Sequence, residues 1–174
     1  QMLPTEINCA AANSQWIEQV RLHSYPTYAV PPTPTTDSAS MATDHHILSL
    51  MTIDDLIEHV ADARARSLDL MGDLSDEQLL GPKLDCVNPG RWEIGHHAWF
   101  QSQWVLRAAA GQDRVRDDED FLYDSMEIDH KTRWDLPLPQ RSETFAYVEE
   151  VLQRTLALLR DNPSDEVVYH ALYT

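Results

Sequence analysis

Basic residues are scarce in this chain: 13 lysines and arginines stand against 29 aspartates and glutamates in 174 residues, a formal charge of −16. A field of that sign repels phosphate backbones and anionic lipid headgroups, and no local basic stripe offsets it, so neither nucleic acid nor a membrane surface is expected as a partner. Long apolar runs are missing as well. Nothing approaches the roughly 20 residues that cross a bilayer, and the first residues lack the basic-then-apolar layout of a secretory signal. Cysteine is limited to Cys9 and Cys86, too few and too far apart for a disulfide scaffold or a zinc knuckle. These absences predict a soluble, cytoplasmic protein in a reducing compartment.

With 43% apolar residues, the chain can build one domain with a sizeable core. The stretch from Tyr25 to Ser40 is rich in proline and small polar residues, which remove amide donors and bury little. It reads as a linker with Met41 directly after it, so residues 1–44 are expected to be a disordered or non-native N-terminal extension and residues 45–174 the folded domain.

Past the linker the pattern is helical. Thr52-Ile53-Asp54-Asp55 offers a hydroxyl cap with acids in the first turn, followed at three- and four-residue spacing by Ile53, Leu56, Ile57, Val60, Ala63, Ser67, Leu70, Met71 and Leu74. Ser75-Asp76-Glu77-Gln78 is a capping box for a short turn stopped by Gly81-Pro82. Asn88 is read as the cap of a second long helix, with Pro89 at its first position and Gly111 as its terminator. Residues 112–141 read as irregular, with Asp117-Asp118-Glu119-Asp120 a solvated acidic run and Trp134 to Pro139 extended. A connection of this length in a compact domain is usually functional or disordered. Ser142 is read as the cap of a third long helix, with Phe145, Val148, Val151, Leu152, Leu156 and Leu159 inward. Ser164 opens a fourth with Val167, Val168, Ala171 and Leu172 as its core, reaching Thr174 without a capping residue. The sum is an all-α, up-and-down four-helix bundle whose fourth helix is expected to be cut short.

His96 is the candidate for chemistry. It lies four residues after Trp92, three before Trp99 and four before Phe100, whereas His97 shares a face with Glu93 and Gln101; His96 therefore points inward and His97 outward. An inward neutral imidazole can ligate a metal among facing helices. It can equally be a core histidine bonded to a carbonyl or carboxylate, in which case His96→Leu should leave stability unchanged or raise it. His45-His46 adjoin the tail, His59 lies on a polar stretch, and no His-x3-His occurs. His130 and Arg133 could hold a carboxylate- or imidazole-bearing ligand, the arginine by its fork, or could be surface residues with Arg133 paired to a nearby acid. Trp99, Phe100 and Trp104 are read as core rather than a stacking platform.

The run Asn88-Pro89-Gly90-Arg91-Trp92-Glu93-Ile94-Gly95-His96-His97-Ala98-Trp99-Phe100 resembles the Asn-Pro-x-x-Trp-Glu-x-Gly-His-x-Ala-Trp-Phe signature of the DinB-like N-terminal domain of ergothioneine-type sulfoxide synthases. Leu122-Tyr123-Asp124-Ser125, then His130 and Arg133 to Pro139, is similar to the segment that follows it in the subgroup including selenoneine synthases. The likeness runs from about Met51 to Thr174. It implies a non-heme Fe(II) enzyme that uses O2 to join sulfur or selenium to the imidazole carbon of hercynine, with a thiol or selenosugar as donor. It further implies three histidine ligands, one at His96 and two in a His-x3-His-x-Glu stretch on the fourth helix, and a C-terminal domain resembling formylglycine-generating enzyme. Neither that stretch nor that domain is in these 174 residues, so this chain alone is expected to be inactive and to hold no Fe(II) tightly. Two alternatives remain: a DinB-like metal-dependent thiol transferase, and a non-catalytic helical interaction module.

Overall fold

The Thr52 hydroxyl accepts the amide of Asp55 at 3.1 Å while the Asp55 carboxylate accepts the Thr52 amide at 2.9 Å, a reciprocal pair that starts helix α1, Ile53–Gly72. The computed structural model describes residues 51–174; the proline-rich stretch, Cys9 and His45-His46 lie outside the described residues. Ser75 and Gln78 make the same reciprocal cap for α2, Asp76–Leu80. The next helix, α3, is Gly90–Gln101, and it continues without a break as a π-helical segment, Ser102–Ala109. It closes at Gly111, whose φ of 64° suits a residue without a Cβ. There the amide of Gln112 reaches back to the Leu106 carbonyl at 2.8 Å and that of Gly111 to the Arg107 carbonyl at 3.0 Å, satisfying carbonyls that the helix end would leave orphaned.

After a short helix α4, Glu119–Tyr123, and a 3-10 turn, His130–Thr132, come the long α5, Arg141–Arg160, and α6, Asp165–Tyr173. The architecture is all-α, as expected, and among the described residues there is no strand. Four helices close round one core: α5 packs against both α1 and α3 on one side, and α6 against α1 and the π-helical segment on the other. Leu56 and Val60 of α1, Trp92, Ala98, Val105 and Leu106 of the second helix, Val148, Val151 and Leu156 of α5, and Val167 and Ala171 of α6 meet there. Among the described residues, no helix is long and apolar enough to cross a membrane.

Several local readings need correction. Asn88 does not cap α3: Pro89 is its N-cap, and the Asn88 side chain is engaged elsewhere. Gln140 rather than Ser142 opens α5, its amide donating to the Glu143 carboxylate at 3.3 Å. Leu70 is 48% exposed, and on the face of α1 expected to carry Ala63 the buried residue is Arg64. Phe100 and Trp104 are not core but 40% and 39% exposed. The reason is placement. Because α3 is flanked by α2, α4 and α5, and its π-helical extension by α6, its buried arc takes in Ile94, Gly95, Ala98 and Gln101 and leaves part of the aromatic stripe at the rim. The connection at 112–141 is likewise not irregular throughout, since it contains α4 and the 3-10 turn, and of the Trp134 to Pro139 stretch Trp134 and Asp135 lie in a turn and Leu136 in a bend.

Candidate functional site

The site is built where the long connection presses against α3. The peptide carbonyls of α4 there accept from two ring nitrogens of the facing helix. Trp92 Nε1 donates to the Leu122 carbonyl and His96 Nδ1 to the Tyr123 carbonyl, each at 2.8 Å. Since a carbonyl only accepts, Nδ1 carries the proton, and in the neutral ring Nε2 keeps its lone pair. Burial lowers the His96 pKa below its usual value of 6.5, against the opposing pull of the Tyr123 bond and the Glu93 charge. The imidazole is stacked on Trp92 at 4.5 Å, with 15° between the planes, and on Trp99 at 5.6 Å. Its rotation is therefore set from three sides. His97 is exposed and lies 3.9 Å from Glu93, so the inward and outward assignments of the two histidines agree with the geometry.

His96 lines an open cleft of about 370 Å³ together with Asn88, Trp92, Glu93 and Arg133. The Arg133 guanidinium lies 4.0 Å above the Trp92 ring, so Trp92 is sandwiched between a cation and an imidazole. Nη1 donates to the Asn88 side-chain carbonyl at 2.8 Å, and the Asn88 amide in turn donates to the Glu93 carboxylate. Buried Nε of Arg133 has no hydrogen-bond partner among the described residues. His130 does not line this cleft. Its Nε2 lies 2.6 Å from the Val87 carbonyl, and its ring meets Trp134 edge-on, which pins the connection beside Asn88. Arg133 and His96 are brought together, and His130 stands behind them.

The acidic run proves to be structural on one side. Glu119 is fully buried, and its carboxylate accepts from Ser102 Oγ at 3.1 Å, Tyr147 Oη at 3.1 Å and Arg107 Nη1 at 3.2 Å. Asp120 accepts from Arg107 at 2.6 and 3.1 Å, from Arg114 at 2.6 Å and from Trp99 Nε1 at 2.8 Å. The run is thus solvated only in part: Asp117 and Asp118 are exposed, whereas Glu119 and Asp120 are bonded inward. A buried carboxylate is retained where every lone pair finds a donor, and here π-helical residues Ser102 and Arg107 deliver two of them. Partial burial would raise the Asp120 pKa, but bonds from Arg107 and Trp99 and the charges of Arg107 and Arg114 outweigh it and bring the value from 3.8 to about 2. A depressed carboxylate stabilises the fold above its unfolded pKa and loses that contribution as pH falls through its folded one. Stability is therefore expected to fall between pH 3.8 and about 2. In Asp120→Asn this window should flatten, as read by denaturant midpoints at stepped pH.

Sequence reasoning did not single out Asn88 and Glu93 as cleft residues, or Tyr123 and Glu119 as the props of α3. One signal was present: an acid pair one helical turn before a tyrosine, facing a helix rich in tryptophan. Spacing does not reveal that the pair folds inward. Among the described residues no group of three histidine, cysteine, aspartate or glutamate side chains could hold a metal ion.

The protein is thus a helical bundle in which an oriented imidazole lines a cleft. The sequence profile of the DinB superfamily matches residues 59–171, from within α1 to within α6, and the chain belongs to that family. No curated protein matches the chain.

Proposed function

We propose that residues 51–174 are the bundle of a non-heme Fe(II), O2-dependent synthase that joins sulfur or selenium to the imidazole carbon of hercynine. The observation that carries this reading is His96, held by its Nδ1–H on the Tyr123 carbonyl with Nε2 unprotonated in a cleft. A ring nitrogen fixed by a backbone acceptor is how metal-bound histidines are commonly oriented, so this residue fits one ligand position. The resemblance around Gly95-His96 and Tyr123 to Pro139 supplies the rest of the reading, including the two further imidazoles of a His-x3-His-x-Glu stretch that these residues do not contain. When bound, Fe(II) would supply the redox chemistry that O2 requires.

The chain's own residues have separate tasks. His96 offers a lone pair without the cost of deprotonation near pH 7, because burial disfavours its charged form. Arg133, stacked on Trp92 and steadied by Asn88, presents a cation to the carboxylate of hercynine or of the sulfur or selenium donor. His130 reaches a substrate only by releasing the Val87 carbonyl, and otherwise holds the segment that carries Arg133.

The test is Fe(II) stoichiometry and product formation from hercynine, O2 and a thiol, measured on the protein made from the complete coding frame. His96→Ala should lose bound iron and turnover, and Arg133→Met should raise KM more than it lowers kcat. Iron retained, or product formed at the parent rate by His96→Ala, overturns the reading.

The rival is a non-catalytic interaction module, favoured by the bond to the Tyr123 carbonyl that already satisfies His96 Nδ1. In that case His96 is a core residue that donates to Tyr123. The structure then changes the expectation for His96→Leu: the Tyr123 carbonyl loses its donor, so a loss of about 1–3 kcal/mol replaces neutrality. A DinB-like metal-dependent thiol transferase needs its own metal ligands as well, and turns on the same iron measurement made with zinc or nickel.

A further inference from the structure

Lys83, Val87 and Asn88, in the chain before α3, each meet a residue of the long connection. Lys83 Nζ donates to the Asp135 carboxylate at 2.9 Å, His130 Nε2 to the Val87 carbonyl at 2.6 Å, and Arg133 Nη1 to Asn88 Oδ1 at 2.8 Å. From Ser125 to Asp135 no residue is buried. The apolar side chains of that stretch, Met126, Ile128 and Trp134, are not packed against the central core, which Arg133 reaches by lying 4.0 Å above the Trp92 ring. The chain on either side is anchored: Leu122 and Tyr123 are buried, and Leu136 and Leu138 pack against the core.

Inside this stretch the backbone satisfies itself. The amides of Glu127 and Ile128 donate to the Asp124 carbonyl, that of Thr132 to Asp129, that of Arg133 to His130 and that of Asp135 to Thr132. The Asp129 carboxylate takes the Lys131 amide at 2.9 Å, and the Ile128 carbonyl accepts from Arg133 Nη2 at 3.3 Å. Among the described residues, its backbone makes no hydrogen bond to a backbone group outside the connection. The piece therefore moves as a unit at the loss of side-chain contacts alone. Exposed ion pairs contribute little, and segments with few apolar contacts open well before the whole fold does. Ser125 and Arg133 line the His96 cleft, so the same piece forms one of its walls. We propose that residues 125–135 are a strap that swings off the 83–88 chain about its anchors at Tyr123 and Leu136, lifting Arg133 from Trp92 and Asn88 and opening that wall. The bond of His130 to Val87 is its latch. A carboxylate held by Arg133 enters and leaves with the strap, as ligands do under closing loops. The swing does not rest on the iron reading; only its use in admitting substrate does.

Trp134 supplies the readout. Its indole nitrogen is shielded from water without a hydrogen bond among the described residues, whereas Trp92 Nε1–H is bonded to the Leu122 carbonyl in the core. In the full chain without metal, the Trp134 indole proton should exchange with deuterated solvent at least about tenfold faster than that of Trp92, at a rate that low denaturant leaves unchanged. His130→Ala removes one bond of the latch and should raise the Trp134 rate by about threefold or more, with the Trp92 rate as in the parent. Relaxation dispersion should give the Ile128 methyls and the Trp134 indole one shared exchange rate that the Leu138 methyls lack. The strap is overturned by equal rates at the two indoles, or by a Trp134 rate that rises with denaturant in parallel with that of Trp92. It is overturned also if His130→Ala leaves the Trp134 rate unchanged or raises both together. Since no metal takes part, failure of the iron reading would leave these rates as they are.

Discussion

Gly95→Ala is expected to destabilise the bundle by about 3 kcal/mol, at the upper end for a one-carbon overpacking. A Cβ at Gly95 would stand 2.3 Å from Tyr123 Cε1, 2.4 Å from Cζ and 2.7 Å from Oη, inside any tolerable contact. Tyr123 cannot yield cheaply. It is fully buried, its ring is stacked on Tyr147 at 5.8 Å, and its carbonyl holds His96. Either α3 or α4 must shift, and both carry the site. Chemical denaturation would measure the loss, and the His96 ring signals should move with it. Gly72→Ala is the control, since a Cβ there meets nothing within 4 Å, and it should be neutral or slightly stabilising. Replacing Tyr123 by leucine in the Gly95→Ala background should recover part of the loss, giving a coupling term that unrelated positions would not show. Equal stabilities of Gly95→Ala and the parent would mean that the close approach of Tyr123 is not a feature of the protein in solution.

Arg107→Met is expected to cost about 3–5 kcal/mol, because it leaves the Glu119 charge buried without its cation. Glu119 has no exposed surface, and its other donors, Ser102 and Tyr147, are neutral. The same change removes two bonds from Asp120, but Asp120 keeps Arg114 and Trp99, so most of the effect belongs to Glu119. Adding Glu119→Gln to Arg107→Met should restore stability, since a neutral amide in that place needs no counter-charge. A double-mutant cycle read by denaturant midpoints separates the two contributions. An Arg107→Met variant as stable as its double partner would show that the Arg107–Glu119 ion pair is unimportant to stability.

Much of the fold was legible because helix signals are local. The Thr52 and Ser75 caps, the terminator Gly111 and the Ser164 cap act within a turn of where they stand, and each does as its sequence context predicts. The cap assignments at Asn88 and Ser142 failed for a reason that is not local: the Asn88 side chain is claimed by Arg133, 45 positions away in the chain, and the carboxylate three residues after Gln140 starts α5 earlier. Orientation at a single histidine pair was also readable, because the helical repeat separates His96 from His97 by a large angle whatever surrounds them.

What the sequence by itself determined is the helical content and the inward set of His96, which rest on spacing within single helices, and membership of the DinB superfamily, which rests on the profile of residues 59–171. The tertiary structure alone decided which polar groups are buried. Glu119, Arg64 and Gln101 look like surface residues in composition, and become interior ones because α3 is covered by the connection on one flank and approached by α1 on the other. Burial of a charge depends on donors brought from distant positions, as Arg107 and Tyr147 are to Glu119, and no periodicity within one segment encodes that meeting.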